Sequence, residues 1–144
     1  MENTKRIGNL TELACLTRLY EIGCAISIPF GNSEKYDAII EWNYKLYKIQ
    51  IKHANEHRDE EGKIDYISIN CQWQGHNVNG YKKHNYQANE IDYFATFYNG
   101  ECYLIPQNEC SSTKQLRIMP PKNNQCKGIT FLKNQKALEV LTQL

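Results

Sequence analysis

The sequence predicts a mixed α/β (α+β) fold in which helices flank a mixed central sheet. Three observations lead to this prediction. Apolar residues recur at helical spacing near the N-terminus, residues 47–52 alternate strictly between apolar and polar side chains, and Asn99-Gly100 separates two apolar runs as in a type I′ hairpin. The predicted order is one helix, three strands, further strands and a closing helix, which favours a sheet packed against helices. With 144 residues, the chain has room for one core.

The first helix is predicted to begin near the N-terminus and to run to about Glu21. Asn3 or Thr4 can cap its N-terminus, and Gly23 follows its end as a stop signal. Glu12 lies beside the apolar stripe of this helix, where its simplest interpretation is a solvated side chain. The stripe itself comprises Ile7, Leu10, Leu13, Ala14, Leu16, Leu19 and Tyr20.

A hairpin is predicted after a first strand at residues 24–29. Its two strands are residues 36–42 and 45–52, joined by a turn at Asn43-Tyr44. Alternation divides the second strand into an apolar face that requires a core and a polar face. The apolar face carries Tyr47, Ile49 and Ile51, and the polar face carries Lys48, Gln50 and Lys52.

The polar side chains of this hairpin form a candidate chemical site. Gln50 and Lys52 point the same way, and Asp37 stands across the hairpin near the start of the first strand. An acid, an amide oxygen and a lysine gathered there could hold a hard divalent cation and position a water. The simpler alternative is an amphipathic hairpin with a solvated polar face. Because Asp is a poor strand former, its place at the head of an apolar run favours the functional interpretation.

The second half of the chain is predicted to contain more strands and one helix. Residues 53–63 are interpreted as a charged loop, residues 64–72 as a strand, and residues 90–97 with 101–105 as the Asn99-Gly100 hairpin. The polar stretch 73–89 suits contacts with phosphates and base edges, or is an ordinary connection. A final helix is predicted from Gln135 to Leu144, capped by Asn134, with Leu138, Leu141 and Val140 packing inward.

Charge is distributed unevenly, although the formal net charge is only +1. Residues 1–70 hold nine Lys/Arg against eleven Asp/Glu, and residues 71–144 hold eight against five. This segregation suits an acidic metal site and a basic phosphate track on one molecule, although modest basic stretches are common. The candidate DNA-binding residues are Lys82, Lys83, Lys114, Arg117, Lys122 and Lys127.

The cysteines indicate reduced thiols. Cys15, Cys24, Cys71, Cys102, Cys110 and Cys126 include no C-x-x-C pair, and the N-terminus has no apolar secretory segment. No run reaches membrane-spanning length, so we expect a cytoplasmic protein without membrane partners. A zinc site built from Cys110, Cys126 and a histidine is the less favoured alternative.

Asp37 followed thirteen residues later by Gln50-Ile51-Lys52 resembles the signature of the PD-(D/E)XK nuclease superfamily. With Gln in place of the second acid, it looks like the branch that includes group I intron homing endonucleases and their bacterial relatives. Glu12 matches the acidic helix of many members, whereas Tyr36 replaces the proline of the motif. The resemblance extends in outline over about the first hundred residues. It implies a restriction-endonuclease-like core at residues 1–105, followed by a basic segment and C-terminal helix at 106–144, in a single nuclease domain spanning 1–144.

The resemblance also implies a mechanism, the hydrolysis of DNA phosphodiesters with Mg²⁺ or Mn²⁺. Asp37 would be the main metal ligand, Glu12 a direct or water-mediated ligand, and the carbonyl of Ile51 a further one. Gln50 would occupy the second-acid position as a weaker ligand, and Lys52 would orient or deprotonate the attacking water. Glu34 and Glu41 are nearby acids, but Glu41 lies about 13 Å along the strand from Asp37, too far to share the metal.

Three functions remain open at this point. One is a site-specific endonuclease of the homing type on double-stranded DNA, which requires at least a homodimer; family precedent suggests a higher oligomer, such as a homotetramer. Another is a Holliday-junction resolvase or a restriction-like nuclease on the same scaffold. The last is a DNA-binding module that has lost activity; Gln50 favours this alternative, whereas Asp37, Lys52 and Glu12 argue against it.

Overall fold

A computed structural model describes residues 3–31, 33–123 and 127–144. It contains helices α1 (Thr4–Glu21) and α2 (Ala137–Thr142). In chain order the strands are β1 (Ala25–Ser27), β2 (Ala38–Trp42), β3 (Lys45–Ile51), β4 (Asn55–Arg58), β5 (Ile64–Asn70), β6 (Gln72–Asn77), β7 (Gly80–Asn85), β8 (Tyr93–Tyr98), β9 (Glu101–Pro106) and β10 (Thr113–Arg117).

The centre of the fold is a five-stranded mixed sheet in the order β1-β2-β3-β8-β9. Strands β3 and β8 are parallel, and the other neighbours in this sheet are antiparallel. Strands β10-β5-β4 form a second sheet, and β6-β7 form a separate two-stranded ribbon. The predicted fold class, a mixed central sheet with helices, is therefore confirmed.

Helix α1 has the predicted bounds but buries a narrower face than expected. The Asn3 side chain accepts a hydrogen bond from the Lys5 N–H at 2.9 Å and caps the helix, and Gly23, at φ +113°, follows its end. Cys15 and Leu19 are buried against the sheet. Leu10, Leu13 and Tyr20, predicted to be part of the packed stripe, are 53, 62 and 71% exposed.

The β2–β3 hairpin forms as predicted. Its turn residues Asn43 and Tyr44 both have positive φ, at 51° and 65°, which is the conformation a type I′ turn requires. The register runs from Ala38 opposite Ile49 to Trp42 opposite Lys45. Ile49 and Ile51 are buried, so the alternating pattern identified the apolar face correctly. The β8–β9 hairpin also turns at Asn99-Gly100, as predicted.

The central sheet is covered on both faces. Helices α1 and α2 pack on one face, where Leu19, Leu104 and Leu141 share a buried cluster. The β10-β5-β4 sheet covers the other face, where Ile67, Phe94 and Leu116 share a second cluster. No helix within the described ranges is long and apolar enough to cross a membrane.

Three stretches predicted to be irregular contain strands. Strand β4 lies inside the predicted charged loop 53–63, because it pairs with β5 through Asn55 opposite Ser68 and Glu56 opposite Ile67. The polar stretch 73–89 forms most of the β6–β7 ribbon, and β10 lies within the basic segment. Each of these stretches forms a strand because it pairs with a partner strand, although its own composition does not favour one.

The prediction for the last helix was wrong at its start. Asn134 lies in a short 3-10 helix, Leu132–Gln135, and α2 begins at Ala137 without a side-chain cap. Lys136 is extended, at ψ 134°, and forms a bridge with Tyr103, so the helix starts only after it. Leu141 is buried and Val140 is partly buried as expected, but Leu138 is 44% exposed.

Candidate active site

Asp37 occupies the position just before β2, whose first residue, Ala38, lies opposite Ile49 on β3. Its backbone N–H donates to the carbonyl of Ile49 at 2.8 Å, and its Oδ2 accepts from the backbone N–H of Ile51 at 2.7 Å. The first bond holds the backbone of Asp37 against β3, and the second orients its carboxylate.

Glu12 shares a cavity with Asp37. The side chains of Glu12, Glu34 and Asp37 line a space of about 250 Å³ between α1 and the segment that leads into β2. Burial raises the pKa of Glu12, and the negative charge of Asp37 raises it further. The structure thus brings Glu12 to Asp37 as predicted from the sequence, and it adds Glu34 to the same cavity.

Burial is also the main influence on Asp37. It raises the pKa of the Asp37 carboxyl, while the Ile51 N–H and the charge of Lys52 act in the opposite direction. Two carboxyls in one partly buried cavity repel each other when ionised. A bound cation would offset this repulsion, which makes the cavity electrostatically suited to one.

Lys52 follows the last residue of β3 and is half-buried. Its Nζ donates to the carbonyl of Gln72 at 3.0 Å and stands 5.3 Å from the centre of the Tyr86 ring. Burial lowers the pKa of Lys52, while Cys71 and Asp37 act to raise it. The ammonium is therefore held on the side of the site that faces the β6–β7 ribbon.

Gln72, Tyr86 and Cys71 around the lysine were not predicted as site residues. Gln72 lies 20 positions after Lys52 in the sequence and contributes a backbone carbonyl, for which no side-chain pattern exists. Only the packing of β6 beside the end of β3 brings these groups together.

Gln50 is half-buried and alternates with the buried Ile49 and Ile51, so it lies on the polar face of β3. Ile51 links the two parts of the site, because its N–H binds Asp37 and its carbonyl belongs to the peptide that leads into Lys52. The proposed set of donors therefore lies within one hairpin and one helix.

These donors fit a hard divalent cation. Carboxylate, amide and backbone carbonyl oxygens are the ligands that Mg²⁺ and Mn²⁺ prefer. Glu12 and Asp37 supply two carboxylates to one cavity, and Gln50 and Ile51 supply neutral oxygens on the adjacent strand. No cluster of three His, Cys, Asp or Glu side chains at metal-binding spacing occurs in the part of the chain that the structure describes.

The candidate DNA-binding residues lie on three separate elements. Lys82 and Lys83 are on β7, in the ribbon whose first residue, Gln72, accepts the bond from Lys52. Lys114 and Arg117 are on β10 of the second sheet. Lys122 and Lys127 lie in the turns that follow.

A stack of three side chains holds the base of the β6–β7 ribbon near the site. The Lys35 ammonium lies 3.2 Å from the centre of a Trp73 ring, and Trp73 stacks on His84 at 4.4 Å. Lys35 precedes Asp37 by two residues. The ribbon and the loop that carries Asp37 are thus held together by a cation–π contact.

The cysteines agree with the expectation of reduced thiols. Cys15, Cys24, Cys71, Cys102 and Cys110 are free, and the thiols of Cys71 and Cys110 donate to the backbone carbonyls of Ile69 and Pro106. Cys126, one of the residues considered for zinc, lies outside the described residues. The cysteines therefore add no support for a zinc site.

Comparisons with known proteins agree with this geometry. No curated protein matches the chain. Among solved structures, it is similar to the bacterial homing endonuclease I-Ssp6803I, with a TM-score of 0.76 and 17% sequence identity over 99% of this chain and 95% of that one. The sequence profile of the PD-(D/E)XK endonucleases matches residues 2–138. The chain therefore belongs to the PD-(D/E)XK endonuclease family.

Proposed function

We propose that this protein is a site-specific DNA endonuclease of the homing type that uses Mg²⁺ or Mn²⁺. The observation that carries the proposal is the cavity shared by Glu12 and Asp37, joined through the Ile51 N–H to the strand that ends at Lys52. The similarity to I-Ssp6803I supports the homing type. In this proposal the whole chain forms one nuclease domain, because Ala137 and Leu141 near its C-terminal end pack in the same cluster as Ile49.

Each site residue has a defined task. Asp37 and Glu12 would hold the cation through carboxylate oxygens, with the Ile51 carbonyl and the Gln50 amide oxygen as neutral ligands. When bound, the metal supplies Lewis-acid stabilisation of the charge that develops on the phosphate. Gln50 adds no negative charge, so repulsion of the DNA backbone is smaller than with a second acid.

Lys52 would orient the attacking water and offset negative charge on the phosphate. Its lowered pKa, caused by burial, brings the ammonium closer to exchanging a proton near neutral pH than an exposed lysine would be. The carbonyl of Gln72 holds Nζ in place, which limits the positions that the ammonium can take.

The DNA partner would be duplex, contacted through the β6–β7 ribbon. A two-stranded ribbon fits the major groove, and amide and lysine side chains read base edges and phosphates there. One face of the ribbon carries Gln72, Gln74, Lys83 and Asn85 in two cross-strand pairs. Because the described part of the chain provides one such site, cutting both strands calls for a homodimer or homotetramer.

Cleavage of a randomised duplex library tests this proposal. The wild type and Lys52→Ala are each incubated with Mg²⁺ and with EDTA, beside a synthetic four-way junction. Metal-dependent and Lys52-dependent cuts that align to one long sequence are expected. Cuts confined to the junction would indicate a resolvase instead, and binding without any cut would indicate an inactive DNA-binding module.

A further inference from the structure

A second cavity lies between β8, β9 and β10, away from the carboxylates. Its volume is about 460 Å³, within the usual range for sites of small organic ligands. Three aromatic and three cationic residues line it: Tyr98, Tyr103, Phe131, Arg117, Lys133 and Lys136. We call it the β8–β10 cavity.

The cationic residues of the β8–β10 cavity give it a positive lining. No carboxylate lines it among the residues that the structure describes. Two acids lie near this lining without being part of it: Glu56 accepts from the hydroxyl of the lining residue Tyr98 at 2.6 Å, and Glu101, which is close enough to Lys136 to feel its charge, pairs with Arg18 at 2.9 Å. An anionic group entering the cavity would therefore meet Arg117 and two exposed lysines without competition from a lining acid.

Contacts within the protein fix part of this lining. The Nε of Arg117 donates to the carbonyl of Met119 at 3.1 Å, and its guanidinium stands 5.3 Å from the centre of the Tyr66 ring. Arg117 also forms a backbone bridge with Phe131, and Tyr103 forms one with Lys136. Each of these two bridges places an aromatic residue beside a cationic one. Such pairs suit a ligand that carries a planar ring next to an anionic group.

The cavity opens at the same end of the central sheet as the candidate active site. Strands β3 and β8 are parallel, with Ile51 opposite Ala95, so Tyr98 lies three residues beyond the level at which β3 ends. Gln50 pairs with Phe94, and alternation places Tyr98 on the same face as Phe94. A nucleic-acid strand at the site would therefore pass this end of the sheet.

From these features we propose that the β8–β10 cavity binds a nucleotide unit, a planar base together with its phosphate. The base would stack against the aromatic lining, and Arg117, Lys133 and Lys136 would hold the phosphate. The nucleotide has two sources, a base turned out of a bound DNA strand or a free nucleoside monophosphate. The first source rests on the proposed endonuclease function, and the second does not.

The test is calorimetric titration of the full chain with dAMP in the presence of EDTA, beside adenosine and inorganic phosphate. We expect dAMP to bind more tightly than either fragment, and the double substitution K133Q/K136Q to weaken it at least about tenfold, as the loss of a charge-assisted contact does. The matched control is Lys45→Gln, which removes an exposed lysine at the start of β3 and should leave dAMP binding unchanged. Phe131→Leu keeps an apolar side chain but removes the ring, and should also weaken binding.

Equal binding of dAMP and phosphate, or no difference between the wild type and K133Q/K136Q, would overturn the proposal. A duplex that carries 2-aminopurine separates the two sources. Fluorescence that rises on binding to the wild type but not to Phe131→Leu indicates a base turned out of DNA, whereas dAMP binding without that rise indicates a free nucleotide. Because the dAMP titration needs neither metal nor cleavage, its failure is distinguishable from failure of the endonuclease proposal.

Discussion

At the residue scale, the candidate site places two carboxyls with raised pKa values, Glu12 of α1 and Asp37 of the hairpin, in one cavity, and Lys52 at the end of the same hairpin has a lowered pKa. Burial is the largest cause in all three cases. Each group is thus less stable in its charged form than it would be in water, and mutual or metal contacts must offset that cost. Ionisable groups whose pKa values are shifted in this way are typical of functional sites.

Replacing Asp37 by Asn tests the main ligand. The amide oxygen of Asn can still accept the bond from the Ile51 N–H, so the hairpin should remain folded. Loss of the carboxylate removes several kcal/mol of metal-derived stabilisation, and we expect cleavage to fall by about 10³-fold or more while DNA binding persists. Single-turnover cleavage and a gel-shift titration measure the two effects. Glu41→Gln, an exposed acid on β2, is the control, and equal cleavage by Asp37→Asn would contradict the assignment.

The raised pKa of Glu12 predicts a dependence of stability on pH. Because the folded-state pKa lies above the unfolded one, the folded chain binds more protons between the two values. The stability that this group contributes at low pH is therefore lost as pH rises through the folded pKa. Without metal, the free energy of unfolding of the wild type should fall as pH rises between the unfolded and folded pKa values of Glu12. We expect this fall to be smaller in Glu12→Gln, and urea denaturation at a series of pH values measures it.

The Asp37→Asn variant provides a second test of the Glu12 pKa. In Asp37→Asn, the pKa of Glu12 should move down because one of its two causes is gone, but it should stay above the ordinary value because burial remains. A carbon NMR titration of the Glu12 carboxyl reports this directly. A Glu12 pKa that is unchanged by Asp37→Asn would show that the two carboxyls do not share a cavity.

At the scale of elements, the sequence predicted what local patterns determine. Helix α1 was predicted from its caps, and the β2–β3 and β8–β9 hairpins from alternation and turn residues, and all three are confirmed. Strands β4, β6, β7 and β10 were missed because their polar residues show no alternation, and partner strands provide their order. The start of α2 was wrong because Lys136 pairs with Tyr103, far away in sequence.

The same distinction applies to the candidate site. Asp37, Gln50 and Lys52 lie on one hairpin, so their proximity follows from strand geometry alone. The approach of Glu12 required the family resemblance, because no local pattern specifies which helix packs beside the hairpin. The Gln72 carbonyl that binds Lys52 could not be predicted, since it depends on tertiary packing and on a backbone group.

A single methyl group added at Gly75 tests how the β6–β7 ribbon is packed. A Cβ at Gly75 would stand 2.9 Å from the Trp73 ring, which is already held between Lys35 and His84. We expect Gly75→Ala to destabilise the ribbon by about 1–3 kcal/mol, as overpacking does, and to weaken DNA binding. Hydrogen exchange of the β6 and β7 amides should accelerate, while the amides of β3 and β8 stay protected.

Gly8→Ala is the matched control for the ribbon. Gly8 is inside α1, and a Cβ there meets nothing within 4 Å. The same added methyl group should therefore stabilise the protein by about 0.5–1 kcal/mol, through the higher helix propensity of Ala. Equal effects of the two substitutions on the ribbon amides would contradict the packing argument.

At the scale of the whole molecule, helix α1 presents a group of exposed apolar side chains. Leu10, Leu13 and Tyr20 lie along one side of α1, on the far side of the helix from the face that Cys15 and Leu19 bury, and each is more than half exposed. The sequence pattern assigned them to the core, but the sheet accommodates only the narrower face. Apolar side chains grouped on a helix typically mark an interaction surface.

We expect this surface to join copies of the chain in the homodimer or homotetramer that the endonuclease proposal requires. Leu10→Lys together with Tyr20→Lys places two charges on the surface without touching the buried face, so the fold should persist while the oligomer dissociates. Light scattering after size-exclusion chromatography measures the mass of each form. Leu46→Lys, at a residue 65% exposed on β3, is the matched control and should keep the wild-type mass. Because cleavage of both strands needs two sites, the dissociated variant should nick duplex DNA without cutting it through. A wild type that is monomeric yet cuts both strands would contradict this assembly.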